Sequence, residues 1–181
     1  MIKLIDILEN KILVPRRSKE ERAKNYNIAT QKKIQQHIKD GGKGNLNLSN
    51  TPITSLPDDL TKVGGYLSLH FSKITSLPNN LKVGGGLYLS NTPITSLPNN
   101  LQVGGGLDLN NSQITSLPNN LKVRGYVDVE STPLTSLPNN LQVGGYLDLN
   151  NTPLSKKYTK EEIIKMIEDK GGEVKDRIFI G

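Results

Sequence analysis

The sequence predicts an α/β solenoid. Coils of about 20 residues, the short end of the leucine-rich range, stack so that their short strands form one parallel face. A helical cap stands in front and a helix-strand cap behind. Three observations carry this. The tetrapeptide T-S-L-P recurs with Leu56, Leu77, Leu97, Leu117 and Leu137 in the same place, at one constant interval broken only by the single insertion of Thr61. An L-x-L pair keeps the same beat at Leu46/Leu48, Leu67/Leu69, Leu87/Leu89, Leu107/Leu109, Val127/Val129 and Leu147/Leu149. A Gly-rich pair precedes most of these strands and a proline follows shortly after each. A strict period of this length around L-x-L marks a leucine-rich solenoid; a three-sided β-helix, with coils of similar length, is the competing architecture. One coil has too few apolar side chains to offset the entropy of ordering it, so stability must come from sharing each apolar layer between neighbours. The chain divides into an N-terminal helical cap (1–44), the solenoid (45–154) and a C-terminal helix-strand cap (155–181).

Each element follows from local chemistry. "IKLIDILEN" reads as a short helix before Pro15. A longer helix from about Lys19 to Lys39 starts at a capping box of Ser18 and Glu21 and stops at Gly41-Gly42. Its narrow apolar stripe of Ala23, Tyr26, Ile34 and Ile38 suits a helix laid against the end of the stack, with His37 on the helix surface. Within a coil, Leu87-Tyr88-Leu89 alternates with period two, leucines inward and tyrosine outward. Gly84 and Gly85 let the chain turn into the strand without a Cβ penalty. Pro98 holds the next stretch extended and argues against long helices on the back. Behind the coils, Thr159 and Glu162 form a second capping box, a helix runs to about Lys170 and ends at Gly171-Gly172, and Ile178-Phe179-Ile180 supplies a seventh strand.

The frame L-x-L-x-x-[TS]-x-[IL]-T-S-L-P resembles the bacterial LPX class of leucine-rich repeats found in secreted effectors of pathogens. "LPNNLKVGGYLDL" is more similar still to repeat proteins of tailed marine phages. The resemblance covers about residues 45–154 and implies a bacterial or phage-infected cell as the setting, with the bacterial cytoplasm or the virion as location. One departure is that the position usually held by Asn is Thr51, Ser72, Thr92, Ser112, Thr132 and Thr152, a hydroxyl ladder in place of an amide ladder. Some effectors of this class carry a cysteine-dependent ubiquitin ligase, which is not expected of a chain with no Cys.

Candidates for chemistry are thin. Without Cys there is no disulfide, thiolate nucleophile or Cys-based zinc site. No apolar run is long enough to span a membrane, and the N-terminus lacks the features of a secretory signal. The two histidines, His37 and His70, lie in different elements. Asp108, Asp128 and Asp148 recur once per coil and read as a solvated acidic face rather than a metal site. The Gly-Gly-Gly runs lack the Lys-Ser/Thr and following helix of a phosphate loop. No catalytic residue, metal or cofactor is expected.

Function is sought instead where the repeats differ. The back hardly changes, and "LPNNL" occurs four times. Variation concentrates at three outward strand positions: Asn45, Tyr66, Gly86, Gly106, Tyr126 and Tyr146 before the pair; Asn47, Ser68, Tyr88, Asp108, Asp128 and Asp148 within it; Ser49, His70, Ser90, Asn110, Glu130 and Asn150 after it. Four of the six tyrosines fall there. Rigid amphipathic aromatics among small polar residues make good contact surfaces. The expected partner-binding residues are Tyr66, His70, Tyr88, Asp108, Tyr126, Asp128, Glu130, Tyr146 and Asp148. The acidic half of the face favours a protein partner with a basic surface and disfavours nucleic acid. The reading is a monomeric, non-enzymatic protein–protein interaction module.

Two other readings rest on the N-terminus. Residues 1–44 carry 11 Lys/Arg against 5 Asp/Glu, which accounts for a net charge of +6. Arg16, Arg17, Lys19, Arg22, Lys24, Lys32 and Lys33 could contact nucleic acid phosphates, but they spread around the helix with only Tyr26 aromatic among them. The opening "MIKLIDILEN" resembles the targeting peptides of phage internal-head proteins, cut after a pattern that Ile7-Leu8-Glu9 fits.

Overall fold

The computed structural model describes residues 18–181; the short helix expected before Pro15, the Ile7-Leu8-Glu9 pattern, Arg16 and Arg17 lie outside the described residues, as do the side chains of Lys19, Arg22, Ala23 and Lys24. Helix α1 (Lys19–Lys39) has the capping box expected of Ser18 and Glu21. Thirteen strands of two residues each follow, and two further helices interrupt them near the end. They run β1 (Leu46–Asn47), β2 (Lys62–Val63), β3 (Leu67–Ser68), β4 (Lys82–Val83), β5 (Leu87–Tyr88), β6 (Gln102–Val103) and β7 (Leu107–Asp108). The remainder are β8 (Lys122–Val123), β9 (Val127–Asp128), β10 (Gln142–Val143), β11 (Leu147–Asp148), β12 (Glu173–Val174) and β13 (Ile178–Phe179). Between β11 and β12 lie α2 (Pro153–Lys157) and α3 (Lys160–Asp169).

This is a parallel β-solenoid. Odd-numbered strands form a seven-stranded sheet in chain order, and even-numbered strands form a six-stranded one. Register advances by one whole coil from strand to strand, as at Leu67↔Leu87 and Leu87↔Leu107. Leu46 faces Leu67 whereas Lys62 faces Lys82, so the extra residue falls between β1 and β2, where Thr61 was expected as an insertion. In the seven-stranded sheet each inward residue donates its N–H to the next coil, for example Leu67 to the Gly86 carbonyl at 2.9 Å and Leu87 to that of Gly106 at 2.9 Å. In the six-stranded sheet the outward residue donates to the coil before, as Lys82 does to the Thr61 carbonyl at 2.9 Å.

The core is one continuous column. In the third coil Leu87, Leu89, Ile94, Leu97, Leu101 and Val103 are all buried, and their counterparts recur above and below. The six-stranded sheet was not foreseen. Its repeating Lys-Val or Gln-Val dipeptide points valine into the column and the long polar side chain out, a period-two signal too short to stand out. The I-T-S-L-P arm is extended, as expected, with isolated inter-coil bonds such as Thr75 N–H to the Thr54 carbonyl at 3.0 Å.

The turn chemistry differs from expectation. Gly42 and Gly44 before β1 are in the left-handed region, but the glycines before β3, β5, β7, β9 and β11 are not. Asn50, Phe71, Asn91, Asn111, Ser131 and Asn151 are, just after the strands of the seven-stranded sheet, with φ between 54° and 57°. The glycines are required because coils touch there. A Cβ on Gly85 would come within 2.9 Å of the Gly65 carbonyl carbon and 3.0 Å of the Tyr66 nitrogen, both backbone. The hydroxyl ladder is buried, and each of Thr51, Thr92, Thr132 and Thr152 donates to the carbonyl three residues back at 2.6–2.7 Å. Ser112 makes no such bond and its hydroxyl is unpaired.

At the front, α1 lies on the first coil, with Lys33 Nζ donating to the Asn47 carbonyl at 2.6 Å. The buried stripe is Thr30, Ile34 and His37, with Ile38 half-buried and Tyr26 exposed. His37 is therefore not a surface residue: it stands one turn from Ile34 on the face turned to the coils, and its Nε2 is unpaired. At the back, α3 starts at the expected capping box of Thr159 and Glu162. Its Ile163 and Ile167 join the core. β13 pairs with β11 as the anticipated seventh strand, while α2 and β12 were not anticipated.

Candidate interaction face

The parallel register lines the varying positions into three rows on the outer surface of the seven-stranded sheet. Strand alternation puts Leu87 and Leu89 in the core and leaves Tyr88 half-exposed between them. All nine residues expected to bind a partner lie on this surface, in two groups.

Around Tyr88, the Tyr66 ring is tilted at 6.1 Å and the His70 ring stacks at 5.4 Å and 16°. Around Tyr146, the Tyr126 ring stacks at 4.9 Å and 5° and Phe179 meets it edge-on at 5.5 Å. Gly86 and Gly106 separate the groups and seat them. A Cβ on Gly86 would come within 2.5 Å of Tyr88 Cζ, and one on Gly106 within 2.6 Å of Tyr126 Cζ. The absence of a side chain at Gly86 lets the Tyr88 ring of its own coil lie flat, and that at Gly106 does the same for Tyr126 of the next coil.

The aspartates have a local duty as well. Oδ1 of Asp108, Asp128 and Asp148 accepts the N–H two residues ahead, from Asn110, Glu130 and Asn150, at 2.9–3.0 Å. Asn47 does the same for Ser49 at 3.0 Å. The recurring [DN]-[LV]-x of the sequence holds this signal, since an Asx side chain two residues before a tight turn can fold back on the backbone.

Proximity has electrostatic consequences. Asp128 is pushed up to about 6, chiefly by burial; the Glu130 N–H bond opposes this, and the charges of Asp108, Asp148 and Glu130 add to it. Tyr126 is pushed up to about 12 by burial and then by Asp108. Tyr146 is raised by burial and then by Asp128. Carboxylate oxygens of Asp128, Glu130 and Asp148 lie within 4.8 Å of one another, close enough for one cation to meet all three. Three oxygens on an open sheet face fall well short of the six to eight that calcium takes.

Ser90, His70 and Asp108 also meet. His70 Nδ1 contacts Ser90 Oγ and lies 3.9 Å from Asp108 Oδ2. One ring nitrogen thus serves both partners, whereas a nucleophilic relay needs the two nitrogens on opposite sides, one for the serine and one for the acid. Ser90 is buried besides. The arrangement orients the His70 ring over Tyr88.

Two residues of the face escaped the sequence reading. Phe179 extends the second aromatic group. Phe71 is the other: it is 60% exposed and holds φ 54°, in the row where four other coils have Asn. The signal was present as an aromatic replacing the turn asparagine, one position beyond the three rows compared. No protein-family model matches the chain, and no curated protein matches it.

Proposed function

We propose that the protein is a non-enzymatic interaction module that binds a protein partner with a basic surface through the seven-stranded face. Phe71 carries the reading. A left-handed backbone costs a non-glycine residue about 1–2 kcal/mol, and a bulky one gains nothing back when it stays in solvent. An aromatic at a left-handed position, 60% exposed and next in the chain to His70, gains little from the fold for the strain it carries; a contact with a partner accounts for it. The acidic row from Asp108 to Asp148 sets the sign of the partner's charge. In this reading the coils are leucine-rich repeats of the LPX type and α1, α3 and β13 close the ends of the stack. Sheet on two sides and a nearly unbonded third side favour that class over a three-sided β-helix.

Phe71→Asn separates stability from recognition. It restores the residue of the other coils, so the unfolding midpoint in urea should rise by the equivalent of about 1 kcal/mol. Capture of the partner from bacterial lysate should fall at least tenfold. Tyr88→Ala with Tyr126→Ala and Asp128→Lys should abolish capture. An identical set of captured proteins across the native chain and both variants would remove the face from consideration.

A further inference from the structure

The six-stranded sheet has an outer surface of its own. Parallel register places Lys62, Lys82, Gln102 and Lys122 side by side, one per coil, at about the 4.8 Å spacing of neighbouring strands. The valine beside each is buried, so the long polar side chains stand outward. Their row floors a groove of about 1160 Å³ whose wall carries Asn99, Asn100, Asn119 and Asn120 from the L-P-N-N-L turns. Among the described residues that line it none is acidic and none is aromatic. The four cations of the groove have no carboxylate partner among the described residues.

The fourth cation is Arg124. It occupies the position held by Gly64, Gly84, Gly104 and Gly144 in the other coils, where a Cβ meets the backbone of the coil before. The strain shows in the ladder: Arg124 N–H reaches the Val103 carbonyl at 3.3 Å, against 2.8 Å for Gly84 and Gly104 and 2.9 Å for Gly144. A charge has been set into the groove at a site where the coil contact favours glycine. Negative side chains bound the strip: Glu173 follows Gln142 in the sheet, and Asp58-Asp59 replace Asn-Asn at the first turn.

We propose that this groove binds a linear acidic polysaccharide laid along the solenoid axis, its carboxylates or sulfates on the lysines and Arg124 and its hydroxyls on the amide wall. Coils recur at a spacing close to the rise of one sugar ring in an extended glycan, with cations on two adjacent coils (Lys62, Lys82) and, one neutral Gln102 coil further on, a pair on one coil (Lys122, Arg124). Asn side chains offer a donor and an acceptor together, which suits hydroxyls. A single-stranded nucleic acid would need aromatic platforms for its bases, and the groove has none. Duplex DNA, with a charge every ~1.7 Å, calls for a denser and wider basic surface than one cation per coil.

The test is a titration of fluorescently labelled oligogalacturonate with the full chain at low salt, followed by anisotropy, beside its neutral methyl ester and a short DNA duplex. Lys82→Gln with Lys122→Gln makes those coils copy the native Gln102 and Gln142 coils, so the variant keeps its fold. Binding of the acid but not the ester, weakened about tenfold or more by the double variant and untouched by Phe71→Asn, is the expected result. Absence of binding overturns the proposal, as does equal affinity for the duplex. Sedimentation gives the third contrary outcome: self-association at low salt that the double variant abolishes would make the occupant the acidic face of a second copy.

Discussion

At the scale of single residues, the acidic face has a sign that acid should reveal. Asp128 has a folded-state value of about 6, above the ordinary 3.8, so its ionised form is less favourable in the folded chain than in the unfolded one. Its neutral form favours the fold; that contribution is fully present below about 4 and is lost as pH rises through about 6. The urea midpoint should therefore rise as pH falls from 7 to 5. Asp128→Asn should flatten that rise while keeping the turn, because Asn47 accepts the Ser49 N–H in the same way. A native profile as flat as the variant's would place Asp128 in ordinary solvent. Comparison of the repeats found Tyr66, His70, Tyr88 and the aspartates because they differ in type from coil to coil. It passed over Phe71 because the three rows compared stop one position before the turn, and it misplaced His37 because a stripe sought among apolar residues skips Thr30 and His37, which share the buried side with Ile34.

At the scale of elements, glycines with different duties look alike in sequence. Gly85 faces backbone of the preceding coil, which cannot yield, so Gly85→Ala should destabilise the protein by roughly 1–3 kcal/mol. The three atoms nearest a Cβ on Gly86 all belong to the Tyr88 ring, the far end of a side chain that can swing away. Gly86→Ala should lower the urea midpoint less than Gly85→Ala does and register in tyrosine fluorescence as the ring is displaced. Equal losses from both would show that the coils have slack at the Gly85 contact. Helix ends were legible because capping boxes are local grammar, read correctly at Ser18 and Thr159. The six-stranded sheet was not, since so short a stretch of each coil states no pattern until the neighbouring coils stack on it.

At the scale of the whole molecule, the constant period makes coils interchangeable parts. Excision of residues 87–106 joins Gly86 to Leu107, reproducing the Gly-Leu junction already present at both sites. The shortened chain should keep its parallel sheets, unfold cooperatively and lose stability by about one nearest-neighbour contact. Circular dichroism and small-angle scattering would show a native-like spectrum and a shorter axis; a collapsed or aggregated product would mean that the stack depends on its particular length. The period and the column of buried leucines were plain in the sequence, because every coil states them again. What closes the C-terminal end was only half legible: no coil repeats α2, and the Glu173-Val174 dipeptide of β12, which pairs with Gln142-Val143, follows a helix instead of an L-P-N-N-L turn.

The one-coil register has a consequence in time as well as space. Strand partners such as Leu67 and Leu87 lie a single coil apart along the chain, a small fraction of its length. All-β domains usually join distant segments and search slowly for them, whereas short loops close early. Here each coil needs only the one beside it, so a nucleus of two or three coils can form wherever chance begins it and the rest can zip outward. A protein held together by sheet should therefore assemble with the haste of a helical bundle, within milliseconds or faster.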